Sequence, residues 1–142
     1  MAFTPLEIAQ ALLACLETRD VDKMAAVMSE DFVWRYLPAS LDVPEKNKQQ
    51  YLAQTKNLGQ VFASLKFGPP QDVVQSADGV AFLMIGEGQT AKGSPFRNEY
   101  FMNFHCESGK ISKMTAYVDS KYMHSIFEAE NGYGLVRDMR ST

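Results

Sequence analysis

The stretch FRNEYFMNFHCESGKISKMTAYV, residues 96–118, contains two alternating runs separated by the dipeptide Ser108-Gly109. Alternation with a period of two is typical of strands, and Ser-Gly between two such runs predicts a hairpin turn. On the first run, one face would carry the more apolar set: Phe96, Asn98, Tyr100, Met102, Phe104 and Cys106. This set is expected to face the core, which places Arg97, Glu99 and His105 on the opposite side.

Two further strands are predicted before this hairpin. QDVVQSA (71–77) and VAFLMIGEGQTA (80–91) flank Asp78-Gly79, a dipeptide favoured in tight hairpin turns. Both alternate sets of VAFLMI are apolar, so both faces of that strand are expected to be covered. Helices would cover one face. A second subunit is the simplest cover for the other and predicts a homodimer, with the C-terminal tail as the alternative.

Helix signals dominate the chain before residue 65. Thr4, Pro5 and Glu7 form a capping box with proline in the first turn, which predicts a helix over about 5–18. Asp20 can cap a short second helix. The run FVWRYLP at 32–38 predicts a short strand.

A third helix is predicted over about 44–65, because Tyr51, Thr55, Leu58 and Phe62 recur at helical spacing. SKYMHSIFEAE, residues 120–130, predicts a last helix. Helices grouped before strands indicate an α+β fold, in which three N-terminal helices pack on the concave face of a curved four-stranded antiparallel sheet with one additional short strand.

Composition excludes several functional classes. With 142 residues and 46% hydrophobic content, the chain predicts one domain. The net charge is −3 without a basic stripe, so a nucleic-acid partner is not expected. Neither a leader nor a membrane-spanning apolar run is evident, which predicts a soluble cytoplasmic protein without a membrane partner. Cys15 and Cys106 have no ligand spacing, so we expect packed thiols, no metal and no cofactor.

The order of elements, together with LPASLDVP, NEYFMNF, GKI and YVDS, resembles the nuclear-transport-factor-2-like superfamily, in particular fungal members of its SnoaL-like branch. The resemblance implies a cone-shaped α+β roll as one domain over residues 1–130, followed by a tail over 131–142. It also implies a pocket for a small hydrophobic molecule between the concave face of the sheet and the helices.

The alternation of side chains along the strands predicts which residues line this pocket. Asn98 and Tyr100 would be polar groups inside it, able to hydrogen-bond a substrate oxygen. For Tyr100, a plain core role is an equal alternative. The other predicted substrate-binding residues are Trp34, Tyr36, Tyr51, Met102, Ala116 and Val118. The aromatic residues among them are as typical of a core as of a pocket wall.

Titratable candidates for the pocket are few. Glu87 would point inward with Leu83 and Ile85, unless a bulge at the flanking glycines turns it to solvent. His124 could lie over the pocket mouth and act as an acid or base, although helix histidines are often half-exposed. Asp119 stands where the last helix begins, so we interpret it as a helix cap.

The resemblance implies a choice of functions. Relatives include cofactor-independent isomerases, cyclases and dehydratases acting on oxygenated secondary metabolites such as polyketides or terpenoids. Here Glu87 or His124 would move the proton, with Tyr100 as a further catalytic residue. Relatives often carry an acid where this chain has Ala116, and the acid and arginine of epoxide hydrolases would align with Ile85 and Leu83, which argues against that reaction. A non-catalytic binding protein and a purely structural dimer are the alternatives.

Overall fold

The computed structural model describes residues 3–129, so the predicted tail lies outside the described part of the chain. Within this range it has four helices, α1 (Pro5–Thr18), α2 (Val21–Ala26), α3 (Lys48–Lys56) and α4 (Ser120–Ala129). The strands are β1 (Met28–Leu37), β2 (Lys46–Asn47), β3 (Phe62–Phe67), β4 (Gln71–Gln75), β5 (Gly79–Thr90), β6 (Pro95–Glu107) and β7 (Lys110–Val118). Short 3₁₀ turns occur at Ala39–Leu41 and Leu58–Gln60. The predicted α+β class is confirmed.

The first helix begins as its capping box predicts. The Thr4 hydroxyl accepts a hydrogen bond from the Glu7 backbone N–H at 3.2 Å, and the Glu7 carboxylate accepts one from the Thr4 N–H at 3.0 Å. The buried side of α1 is apolar, formed by Ile8, Ala9, Leu12, Leu13 and Leu16. Because α1 contacts β3, β5, β6 and β7, it lies across one face of the sheet, called here the inner face.

The sheet differs from the predicted one in its first strand. Strands β4 to β7 form the predicted antiparallel pairs, but the full order is β2-β1-β7-β6-β5-β3, with β4 also paired to β5. β1 is ten residues long and pairs parallel to β7, with Tyr36 opposite Ala116. The sheet is therefore mixed. Local patterns do not report a pairing between segments about 80 residues apart in sequence, since it depends on how the chain closes.

The predicted third helix is too long. α3 ends at Lys56, and the segment after Leu58–Gln60 forms β3. β3 pairs with β5, where Leu65 lies opposite Gly88. A Cβ at Gly88 would collide with the Ser64 carbonyl, so glycine permits this close strand approach. Long-range pairing here overrides the helical spacing that includes Phe62.

The two faces of the sheet differ in how far their side chains are exposed to solvent. Phe82 and Phe104 are fully buried on the inner face, with ring centroids 5.9 Å apart. On the outer face, Leu83, Phe101 and Tyr117 are 43–49% exposed. No helix in residues 3–129 is long and apolar enough to cross a membrane.

Candidate functional site

A cavity of about 750 Å³, counting the space at its mouth, lies between the inner face and the helices. Most of its lining side chains are apolar or aromatic. They come from α1, β1, α3, the segment 57–62, the sheet strands β3, β5, β6 and β7, and α4. Of the predicted site residues, Trp34, Tyr36, Tyr51, Tyr100, Met102 and Ala116 line it.

One wall of the cavity is a cluster of aromatic rings. Trp34 and Tyr36 both point inward from β1, because they are two positions apart and a strand repeats its side-chain direction every two residues. The Trp34 ring stacks on Tyr51 of α3, with centroids 5.1 Å apart, and lies 5.4 Å from Tyr36. All three residues are buried. The three rings pack together through Trp34 and form one continuous wall of the cavity.

Tyr100 reaches the cavity from β6 and is half-buried. Its ring lies against Gly86, where an added Cβ would come within 2.9 Å of Tyr100 Cε2. The Phe67 ring meets it edge-on, with centroids 6.2 Å apart. The absence of a side chain at Gly86 therefore leaves room for the Tyr100 ring, and a larger residue there would displace the ring.

Asn98 is buried but does not line the cavity. Its side-chain N–H donates to Met123 Sδ at 3.4 Å, and its oxygen accepts a hydrogen bond from the Glu99 N–H at 3.0 Å. The amide thus ties β6 to α4, and Met123 does line the cavity. Val118 is likewise buried outside the lining, directly opposite Tyr100 in the sheet. Both residues were predicted to lie in the pocket, but neither is part of the cavity lining in the structure.

The three cavity tyrosines remain protonated because of their surroundings. Burial raises the pKa of Tyr36, Tyr51 and Tyr100, since the charged phenolate loses its hydration. The charge of a Tyr100 phenolate would further raise the pKa of both Tyr36 and Tyr51. The Asn98 side chain acts in the opposite direction on Tyr100 and lowers its pKa. The pKa of Tyr100 nevertheless remains raised overall, so all three tyrosines are neutral hydrogen-bonding groups of the cavity.

The predicted inward position of Glu87 is wrong. Its side chain is 62% exposed, and its carboxylate pairs with Arg97 at 3.3 Å across the β5–β6 ladder. The inward residues of β5 are Val80, Phe82 and Met84, so Leu83 and Ile85 also point away from the cavity. No bulge causes this, because the β5–β6 register is continuous. Plain alternation places the carboxylate outside.

His124 is also outside the cavity lining. Its imidazole is 63% exposed and lies 3.2 Å from the Glu128 carboxylate, one helical turn further along α4. Its expected position over the pocket mouth is therefore not observed. Asp119 caps α4 as predicted, because its carboxylate accepts a hydrogen bond from the Tyr122 N–H at 3.2 Å.

The sequence patterns missed two polar cavity residues on α3. Gln54 and Thr55 line the cavity beside Tyr51, which they follow by three and four residues on the same helix. The Gln54 Oε1 and Thr55 Oγ1 atoms are buried, and neither has a hydrogen-bond partner within residues 3–129. The helical spacing from Tyr51 was the available signal. It identified Thr55 as a buried position without indicating that its hydroxyl would be unpaired.

The cavity wall carries no formal charge over the part of the chain that the structure describes. None of the lining residues is Asp, Glu, His, Lys or Arg. The same range contains no group of three or more His, Cys, Asp or Glu side chains that could hold a metal ion. The polar chemistry available in these walls is therefore that of neutral hydroxyls and amides.

This arrangement of a sheet, helices and an enclosed apolar cavity has known relatives. The family model for the SnoaL-like domain matches residues 9–114. The chain belongs to the SnoaL-like family. Core atranone cluster protein 11 of Stachybotrys chlorohalonatus is 26% identical over 112 residues, which cover 78% of this chain and 84% of that protein.

Several solved structures share the fold of this chain. PrhC from Penicillium brasilianum superposes with a TM-score of 0.81 at 14% identity, covering 94% of this chain and 92% of that one. The BvnE pinacolase from Penicillium brevicompactum gives a TM-score of 0.76 at 20% identity, covering 87% and 92%. At these sequence identities, the structural likeness establishes the fold alone. The predicted resemblance to the SnoaL-like family is confirmed by the match to the family model.

Proposed function

We propose that this SnoaL-like protein is a cofactor-independent isomerase, cyclase or dehydratase acting on a small hydrophobic, oxygenated molecule of the secondary-metabolite type. The observation that carries the proposal is a largely apolar cavity whose lining includes three tyrosines, Tyr36, Tyr51 and Tyr100. An apolar substrate would fill the space, and the hydroxyls would bind its oxygen. The fungal relative named for the atranone cluster and the pinacolase with the same fold agree with this class of substrate.

Tyr100 is the residue to which we assign proton transfer. In a dehydration, its hydroxyl proton would go to the leaving hydroxyl of the substrate. The resulting phenolate would take the proton from the adjacent carbon, so that water leaves and the tyrosine is regenerated. Asn98 supports this role because it lowers the pKa of Tyr100 and so partly offsets the effect of burial, which raises that pKa overall. Burial makes that phenolate a strong base in a dry site.

The electrostatic role of Tyr36 and Tyr51 follows from their protonation. Because burial raises the pKa of both, they remain hydrogen-bond donors at any physiological pH. Donors held in position by a packed aromatic wall can stabilise negative charge that develops on a substrate oxygen. Trp34 holds both rings at centroid distances of 5.1 and 5.4 Å, which provides that rigidity.

Substitution of Tyr100 tests the proposal directly. Wild-type protein is incubated in D₂O with aryl β-hydroxy ketones, and NMR follows loss of water and deuterium uptake beside the carbonyl. Tyr100→Phe should lower the rate at least about a hundredfold, since general acid–base catalysis contributes about 10²–10⁴-fold. Tyr117→Phe, on the exposed outer face, is the matched control and should retain the rate.

Two further variants distinguish proton transfer by Tyr100 from proton transfer by the Glu87 carboxylate or the His124 imidazole. Glu87→Gln and His124→Ala should retain the wild-type rate, because both side chains lie outside the cavity lining. A large loss in either variant, or full activity in Tyr100→Phe, would contradict the assignment of Tyr100.

A non-catalytic binding protein is the second candidate. The observation that favours it is the absence of charged side chains from the cavity lining within residues 3–129. Native mass spectrometry of freshly purified protein distinguishes the two. A carrier should retain an apolar ligand and leave every ketone unchanged, whereas an enzyme should convert at least one of them.

We propose that a second copy of the chain covers the outer face of the sheet. Leu83, Phe101 and Tyr117 lie directly opposite one another on β5, β6 and β7, so they form one continuous exposed apolar row. Under twofold symmetry such a row packs against itself, which makes a second copy a suitable partner. The homodimer would leave the cavity on the other side of the sheet unobstructed.

A further inference from the structure

We propose that Gln54 and Thr55 form a second polar subsite in the cavity, which binds a hydroxyl group of the ligand at a distance from the oxygen that contacts Tyr100. The inference rests on the proposed function, because it assumes that the cavity binds an oxygenated apolar molecule. It narrows the substrate class to molecules with at least two oxygen functions, one of them an alcohol or phenol.

The first observation is that two buried oxygen atoms lack partners. Gln54 Oε1 and Thr55 Oγ1 are inaccessible to solvent and unpaired within the described residues, and Thr55 as a whole is only 1% exposed. Buried polar atoms are normally paired, because an unpaired one loses its hydration without compensation. Since both residues line the cavity, a ligand can supply the missing partner.

The Thr55 hydroxyl does not make the hydrogen bond to the backbone that helical threonines often make. In a helix, a threonine hydroxyl can bond the carbonyl one turn earlier, which here belongs to Tyr51. Thr18 in α1 does so, donating to the Ala14 carbonyl at 3.3 Å. Thr55 makes no such bond, so its buried hydroxyl is left without a partner within the described residues.

α3 packs on a different part of the sheet from the strand that carries Tyr100. α3 contacts β1 and β2, whereas Tyr100 lies on β6, and β7 stands between β1 and β6. With neighbouring strands about 4.8 Å apart, β1 and β6 are separated by about 10 Å. The ligand would therefore contact the two polar sites with different ends, and apolar residues such as Leu58, Val61 and Met102 would surround its middle.

The chemistry of the two atoms indicates the ligand group. Gln54 Oε1 accepts hydrogen bonds, and the Thr55 hydroxyl can donate or accept. A ligand hydroxyl can donate to the glutamine and also pair with the threonine. A carbonyl or ether cannot donate, so it would leave Gln54 Oε1 unpaired. The subsite therefore selects for a hydroxyl.

The test uses two probes that differ by one hydroxyl, 4-hydroxybenzophenone and benzophenone. Both carry a ketone for Tyr100, but only the first carries a remote hydroxyl. Trp34 is the single tryptophan of the chain and lines the cavity, so its fluorescence reports binding, with calorimetry as a second method. Wild-type protein should bind the hydroxylated probe at least tenfold more tightly.

Two near-isosteric variants should remove this preference. Thr55→Val and Gln54→Leu should bring the two probe affinities to within about twofold of each other, by weakening only the hydroxylated probe. Gln49→Leu, at an exposed position of the same helix, should retain the preference. In the ligand-free protein, Thr55→Val should also raise Tm, because it removes a buried unpaired hydroxyl.

The outcomes distinguish the subsite from the proposed reaction. Equal binding of the probes by wild type, binding of neither probe, an unchanged preference in both variants, or a lowered Tm in ligand-free Thr55→Val would overturn the subsite. Loss of the preference in the α3 variants together with full turnover in Tyr100→Phe would instead support the subsite and reject the assigned catalytic residue.

Discussion

The inner and outer faces of β6 differ in chemistry although they alternate along one strand. Phe96, Tyr100 and Met102 point into the cavity, whereas Arg97 and Glu99 point outward. The neighbouring strand β5 divides in the same way, with Met84 inward and Glu87 outward. In both strands, neutral groups line the cavity and formal charges lie on the opposite side.

This difference indicates how the site can work. An ion pair such as Glu87–Arg97 is well hydrated on the outer face, but a lone carboxylate in the apolar cavity would lose that hydration. A tyrosine hydroxyl is neutral and tolerates burial, and it can still donate a hydrogen bond or a proton. The cavity therefore combines an apolar wall with polar function by using hydroxyl groups.

The largest expected difference between the two faces concerns stability. Phe82→Ala removes a fully buried ring that stacks on Phe104, and we expect a loss of about 3–5 kcal/mol in the free energy of unfolding. Leu83→Ala, at the next residue on the outer face, should cost below about 1 kcal/mol in the monomer. Urea titration monitored by circular dichroism measures both. Equal losses would show that the faces are not energetically distinct.

A smaller effect is expected from the inward tyrosines at high pH. In the unfolded chain their pKa is near 10.0, and burial raises it in the folded protein. Their stabilising contribution is therefore fully present below pH 10 and is lost as the pH rises above it, by on the order of 1 kcal/mol per pH unit for each tyrosine. Tyr51→Phe should reduce this slope in urea titrations between pH 9 and 11, with Tyr117→Phe as the outer-face control.

The smallest effect on folding, but a clear one on assembly, is expected from the outer row. Phe101→Lys places a charge at the centre of this exposed apolar row and should give a monomer in sedimentation velocity at concentrations where wild type is a dimer. Its effect on monomer stability should remain within about 0.5 kcal/mol. Gln89→Lys, at an exposed position near the end of β5, should remain dimeric. A monomeric wild type would contradict the proposed homodimer.

Much of the inner face could be predicted because alternation is a local property. The inward set of β6 and the aromatic residues of β1 follow from side-chain parity, and the structure places them as expected. Parity failed for β5 because both sets of VAFLMI are apolar. The register of the β5–β6 hairpin held the missing information, since Glu87 lies opposite Arg97 and must share its face.

The sequence by itself determined the helix caps at Thr4 and Asp119, the order of strands β4 to β7 and the inward face of β6. Each of these depends on residues close together in the chain. Only the tertiary structure decided that β1 joins β7 in parallel, that the segment after α3 becomes a strand, and that Gln54 and Thr55 line the cavity unpaired. These features arise where distant segments meet, and their energies depend on pairing and burial that local patterns do not contain.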